Sequence, residues 1–170
     1  MFVLGVDPGL SRCGYGAVRR VRGKMDAVGG GVITTDRELP LHERLSFLFE
    51  ELSDLLRTFQ PEAVVVERVF FQTNVQTAMS VGQAAGIALL VAAQAGCPVV
   101  QYTANEVKQA VVGYGSATKD QVQRMVAAAL CLPAPPRPPD VADALALALC
   151  HLTSQPLRDA VAAAHGGRTR

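Results

Sequence analysis

The sequence predicts an α/β domain: a mixed five-stranded sheet, its first three strands antiparallel, with helices on both faces. Three observations carry this. Residues 2–35 hold three β-prone segments in close succession. Leucines then recur at three- and four-residue intervals between Leu41 and Leu56. Beyond them a short β-branched run, Ala63-Val64-Val65-Val66, separates two helical patterns, as expected of a strand buried on both faces between helices.

FVLGVD is an apolar run that ends in an acid, Asp7. Gly14–Val21 and Ala27–Thr35 follow as strands joined by the turn Arg22-Gly23-Lys24. Leu41, Leu45, Leu48, Leu52, Leu55, Leu56 and Phe59 define an amphipathic helix that Pro61 stops. Ala63–Glu67 is the fourth strand. Val75–Ala95, rich in Ala, Gly and Ser, is a second helix whose small side chains suit close packing, in the core before a dimer axis. Pro98–Tyr102 is the fifth strand. Thr103 with Glu106 and Thr118 with Gln121 are capping boxes that start two further helices, with a Gly113-Tyr114-Gly115-Ser116 loop between them. Five prolines between Pro133 and Pro139 form a stiff connector to a last helix near Asp140. Residues 1–155 read as one domain, and 156–170, ending in HGGRTR, as a disordered tail.

At 170 residues and 49% apolar content, one well-filled core is the natural size. No uncharged apolar stretch of about 18 residues suited to crossing a membrane is expected, since Gly82, Gln83 and Gly86 interrupt the nearest candidate. No basic segment leads into a cleavable apolar run at the N-terminus, so the expected location is the cytoplasm. Cys13, Cys97, Cys131 and Cys150 are scattered without CxxC or His at metal spacing, which points to reduced, mostly buried thiols. His42, His151 and His165 are too dispersed to form a site.

Four acids sit where stability alone would not put them: Asp7, Glu67, Asp140 and Asp143. Glu67 directly follows four apolar residues and would carry a large desolvation cost without a cation or donors. Its neighbour Arg68 points to the opposite face of the strand. Asp7 precedes Pro8-Gly9, so a plain Asp-Pro turn is the bland alternative. Asp140 and Asp143 share one helix face and would repel each other, although acids in a first turn also complement the helix dipole. Gathered together, the four suit divalent cations with oxygen ligands, Mg²⁺ or Mn²⁺, two to a site and about 4 Å apart across a scissile phosphate. Net charge is +1, from 16 Lys and Arg against 15 Asp and Glu; with the four acids set aside it is +5, so a polyanionic partner is compatible.

VLGVDPGLSRCGYG, VVERVFFQTN, GQAAG, VKQAVVGYGSATKDQVQ and DVADALALALCH resemble, in order, the blocks of the RuvC family of Holliday junction resolvases. The likeness covers nearly all of residues 1–155. It implies a ribonuclease H-like fold, a homodimer, magnesium- or manganese-dependent paired nicking of four-way DNA junctions, and work alongside the RuvA-RuvB branch-migration complex. By that likeness Asp7, Glu67, Asp140 and Asp143 are the catalytic metal ligands. Phe70 falls where the family places an aromatic beside the junction, with Phe71 as its neighbour; one of the pair is also a natural core residue. Lys108 and Lys119 match basic positions associated with the DNA backbone, and Lys119 stands in a first turn, where the dipole disfavours a cation. Ser116 and Thr118 can add contacts to phosphate. Arg12, Arg19, Arg20, Arg22 and Lys24 make the first hairpin basic, suited to backbone contact or simply to solvent.

The implied activity is a structure-selective endodeoxyribonuclease of recombination and repair, leaving 5′-phosphate and 3′-hydroxyl ends. The alternatives are an RNA-processing nuclease with the same core and a junction-binding module without catalysis. An actin-like ATPase also opens with a GVDPG-type loop, but needs a second lobe for which 170 residues leave no room.

Overall fold

A computed structural model describes residues 1–68 and 75–166, with side chains as far as Gln155. Five strands, β1 (Phe2–Asp7), β2 (Arg12–Val21), β3 (Lys24–Thr34), β4 (Ala63–Glu67) and β5 (Val99–Tyr102), form one sheet in the order β3-β2-β1-β4-β5. The first three pair antiparallel, while β4 lies parallel to β1 and β5 parallel to β4. The helices are α1 (Leu41–Phe59), α2 (Val75–Gln94), α3 (Ala104–Val112), α4 (Lys119–Ala129) and α5 (Pro139–Gly166).

Local chemistry accounts for the boundaries. Arg22 and Gly23 both have positive φ (49° and 84°), as a tight two-residue hairpin turn requires. Gln60 takes a left-handed conformation at φ 47° and donates its backbone N–H to Leu56 O, ending α1. Pro61 disfavours a right-handed helical conformation for Gln60 before it, so α1 stops at Phe59, two residues before the proline. Both capping boxes form: Thr103 with Glu106 opens α3, and Thr118 with Gln121 opens α4.

The sheet separates two cores. Phe2, Leu4, Val6, Val64 and Val66 pack against Leu48, Leu52 and Leu56 of α1 and Ala84, Ala88 and Val91 of α2. Val3, Val18 and Val65 face the other way, onto Val107 of α3, Val122 and Val126 of α4, and Val141, Leu145 and Leu149 of α5. Strand β4 is therefore buried on both sides, as its sequence predicts.

Sheet glycines let α5 lie directly on the strands. A Cβ on Gly5 would stand 2.0 Å from the Ala144 carbonyl oxygen, and one on Gly14 2.3 Å from that of Asp140. A glycine inside a strand marks such close backbone approach.

The backbone of α5 runs to Gly166. Two features differ from the sequence expectations. By length and mean hydropathy alone, α2 would pass for a membrane span. Its apolarity has another source, because Ala84, Ala85, Ala88, Val91 and Ala92 are buried in the core. Of the thiols only Cys13 and Cys150 are buried, Cys97 is partly so, and Cys131 is exposed in a left-handed turn after α4.

Candidate active site

Strand parity brings the first two acids together. Side chains alternate across a strand. In β1, Asp7 shares the α5 side with Val3 and Gly5; in β4, Glu67 shares it with Val65. Val6 pairs with Val66 in the parallel register, which sets Asp7 and Glu67 side by side at the same end of neighbouring strands. Close seating of α5 on Gly5, Gly14 and Gly16 then brings its first turns, with Asp140 and Asp143, over that end of the sheet.

Asp7, Glu67 and Asp143 line a groove of about 170 Å³ with Lys108, Lys119 and Val107. Asp7 is half-buried, and loss of solvent, followed by the charges of Glu67 and Asp143, pushes its carboxyl up to about 8. Glu67 is also raised, first by burial. The Asp7 and Glu67 side chains are hydrogen-bonded to each other, which raises Asp7 and lowers Glu67, and adjacent carboxylates of this kind resist ionising together.

The helix acids find cations instead. Lys119 Nζ lies 3.3 Å from Asp143 Oδ2, and this neighbouring charge raises the Lys119 ammonium above its ordinary range. Arg12 Nη2 donates to Asp140 Oδ2 at 2.7 Å, and that hydrogen bond holds the Asp140 carboxyl below the usual carboxylate range. Two positive side chains thus offset part of the charge of the four acids. Among the described residues, no three acid, His or Cys side chains are gathered tightly enough to grip a metal ion as they stand.

The donor set nevertheless suits a hard divalent cation. All four candidates are carboxylates, which match Mg²⁺ or Mn²⁺. Asp7 and Glu67 are held close at a desolvation cost that a doubly charged ion would offset.

The other expected site residues divide into three groups. Lys108 and Lys119 both face the groove. Ser116 is exposed in the loop before α4, and Thr118 is occupied as a helix cap. Phe70 and Phe71 lie outside the described residues. Arg12, expected to meet DNA, is paired with Asp140 in this structure. His151 is buried, with Nδ1 3.1 Å from the Tyr102 hydroxyl.

Two supports for the site escaped the sequence reading. Gly5 and Gly14 admit α5, and their signal was present as glycines interrupting β-prone runs. Arg44 of α1 braces the loop after β1, donating to Thr35 Oγ1 at 2.9 Å and Ser11 Oγ at 2.8 Å. An exposed-looking arginine in an amphipathic helix carries no local sign of that partner.

The family model for crossover junction endodeoxyribonuclease RuvC matches residues 3–151. The chain belongs to the RuvC family. The RuvC protein of Roseiflexus sp. (strain RS-1) is 49% identical over 154 residues, spanning 91% of this chain and 92% of that relative. That of Thermomicrobium roseum is 50% identical over 151 residues, 89% of this chain and 92% of its own length. Thermus thermophilus RuvC, at 39% identity, matches with a TM-score of 0.85 over 92% of this chain and 96% of that one. The same RuvC solved in complex with Holliday junction substrate gives 0.87 over the same shares. The yeast mitochondrial Holliday junction resolvase Ydc2, 15% identical with a TM-score of 0.63, shares the fold. The ribonuclease H-like sheet predicted from sequence is therefore the RuvC fold.

Proposed function

We propose that this chain is a Holliday junction resolvase, an endodeoxyribonuclease that cuts four-way DNA by paired symmetric nicks in recombination and repair. Kinship at about half identity over nine-tenths of the chain supports the activity. One observation carries the site: Asp7 and Glu67, adjacent by parallel register, face Asp143 across a groove that also presents Lys108 and Lys119.

In this reading Asp7, Glu67, Asp140 and Asp143 hold two Mg²⁺ or Mn²⁺ ions. When bound, such ions activate a water and stabilise charge on the scissile phosphate and its leaving oxygen. The chain supplies the rest. Asp7 and Glu67 would hold such ions from the ends of two neighbouring strands. Lys119 and Lys108 face the groove from α4 and α3, where each can neutralise a backbone phosphate. Departure of the 3′ oxygen leaves 5′-phosphate and 3′-hydroxyl ends. Phe70 and Phe71 are the proposed stacking residues at the junction, and Ser116 a further phosphate contact.

A homodimer is the working form in this proposal, since twofold symmetry presents two identical sites to two strands. Its support is the outer face of α2. Val75, Met79 and Leu90 are exposed large apolar side chains, and Gly82 and Gly86 lie between them with open space where a Cβ would be. Spaced by four, three, four and four residues, these positions form one stripe opposite the buried alanines, suited to the same helix of a second copy. Cooperation with the RuvA-RuvB complex in the cytoplasm completes the reading, and co-sedimentation of the proteins on one junction tests it.

A labelled four-way junction and its matching linear duplex, each incubated with protein and Mg²⁺ or Mn²⁺, decide the activity on a denaturing gel. Symmetric nicks in the junction alone are expected. Tight junction binding without cleavage would instead make the protein a binding module, and equal cutting of duplex would remove the structural selectivity.

A further inference from the structure

The four acids are unequal. Asp7, Glu67 and Asp143 line the groove, and Asp140 does not. Its carboxylate is engaged by Arg12, with Nη2 2.7 Å from Oδ2 and Nε 3.4 Å from Oδ1. Of the two cation–acid pairs at this site, the Lys119 pair leaves its acid facing the groove, whereas the Arg12 pair engages an acid beside it whose charge still acts on Asp7.

This pairing is built into the backbone. Arg12 opens β2, two residues before Gly14, where the Asp140 carbonyl rests at a distance that only a missing Cβ permits. The loop leading to Arg12 is fastened as well: Arg44 donates to Ser11 Oγ and Thr35 Oγ1, and Thr35 Oγ1 donates to Leu10 O at 2.6 Å. Both partners ride on main chain that these contacts fix, which sets the geometry of the pair.

A guanidinium matches carboxylate and phosphate oxygens with the same fork of donors. The Arg12 side chain is 46% exposed, within reach of an incoming backbone phosphate, while Asp140 is 24% exposed and more enclosed. Phosphate and Asp140 therefore compete for Arg12, and Arg12 and a divalent cation compete for Asp140. A ligand that removes Arg12 from the acid raises the acid's availability to the cation.

We propose that Arg12 is a positioning residue that holds Asp140 away from the metal site until a DNA backbone phosphate takes the guanidinium and releases the acid. This rests on the reading of Asp140 as a metal ligand. Its consequence is coupling: DNA strengthens cation binding and cations strengthen DNA binding through the same side chain, as linkage requires. A full metal site then assembles mainly on DNA.

Calorimetric titration of Mn²⁺ into the DNA-free full-length protein tests it, with Arg12→Ala, Arg12→Gln and Asp140→Asn compared with the parent and circular dichroism confirming folding. Loss of a half-exposed ion pair is expected to tighten Mn²⁺ binding about fivefold in both Arg12 variants. A phosphorothioate junction, which keeps the backbone charge and resists hydrolysis, is expected to shrink that gap to less than about twofold, since wild-type Arg12 is then already drawn away. Unchanged or weaker Mn²⁺ binding in the Arg12 variants would overturn the proposal, and so would a gap that persists on the junction. If Asp140→Asn leaves Mn²⁺ affinity unaltered even where the acid is released, in the Arg12→Ala background and on the phosphorothioate junction, the ligand assignment fails instead, which separates the two ideas.

Discussion

Asp7 has a sign that can be worked out. Its folded-state carboxyl is raised from 3.8 to about 8, chiefly by burial. Stability linked to a raised group is fully present below the unfolded value and is lost as pH rises through the folded one. The metal-free protein should thus lose stability between about pH 4 and pH 8, and Asp7→Asn should flatten that part of the profile. At pH 8 the variant is expected to be the more stable by about 1–3 kcal/mol, the scale of a desolvated polar group. Thermal melts in chelator across this range check it; parallel profiles would mean that Asp7 is already ionised and hydrated. Cleavage should vanish in the same variant while junction binding stays nearly intact. Mn²⁺ should raise the melting temperature of the parent more than that of the variant. Lys119→Ala should lower the salt slope of junction binding by about one, measured by filter binding at several salt concentrations.

The decisive contact between elements is α5 on the sheet. Gly5→Ala would drive a methyl group into the Ala144 carbonyl, 2.0 Å away, so either the helix lifts or the strand bends. A cost of about 1–3 kcal/mol is expected from overpacking, with a loss of cleavage beyond the loss of fold as Asp143 moves off Asp7. Denaturant unfolding and cleavage assayed on the folded fraction separate the two effects. Gly82→Ala is the contrasting case, because open space surrounds its Cβ position. Within one chain that change should stabilise α2 by up to about 1 kcal/mol. Any harm it does must come from a neighbouring copy.

For the whole molecule, the outer stripe of α2 predicts assembly. Met79 is 61% exposed and Leu90 47%. Met79→Glu should leave the fold intact and shift the protein from dimer to monomer in sedimentation, since a charge in the middle of an apolar contact is desolvated without a partner. Monomeric wild-type protein at micromolar concentration would remove the stripe from this role. Paired incision should fall to single nicks in the variant if symmetry is what couples the two cuts.

Much of this architecture was legible in the sequence because its signals are local. Leucine spacing determined α1, the β-branched run determined β4, and two four-residue capping patterns determined where α3 and α4 begin. The four acids stood out because each interrupts or borders an apolar segment where an unpaired charge is costly. Contacts between distant segments were not legible. The step from Val6 against Val66 to Asp7 beside Glu67 depends on strand register, and the seating of α5 depends on which glycines face it. Neither is encoded in any short window of sequence. Tertiary structure alone decided that Asp7 and Glu67 stand side by side, that Asp143 pairs with Lys119, and that Asp140 pairs with Arg12. Charges interact through the space between them, and only the folded chain sets that space.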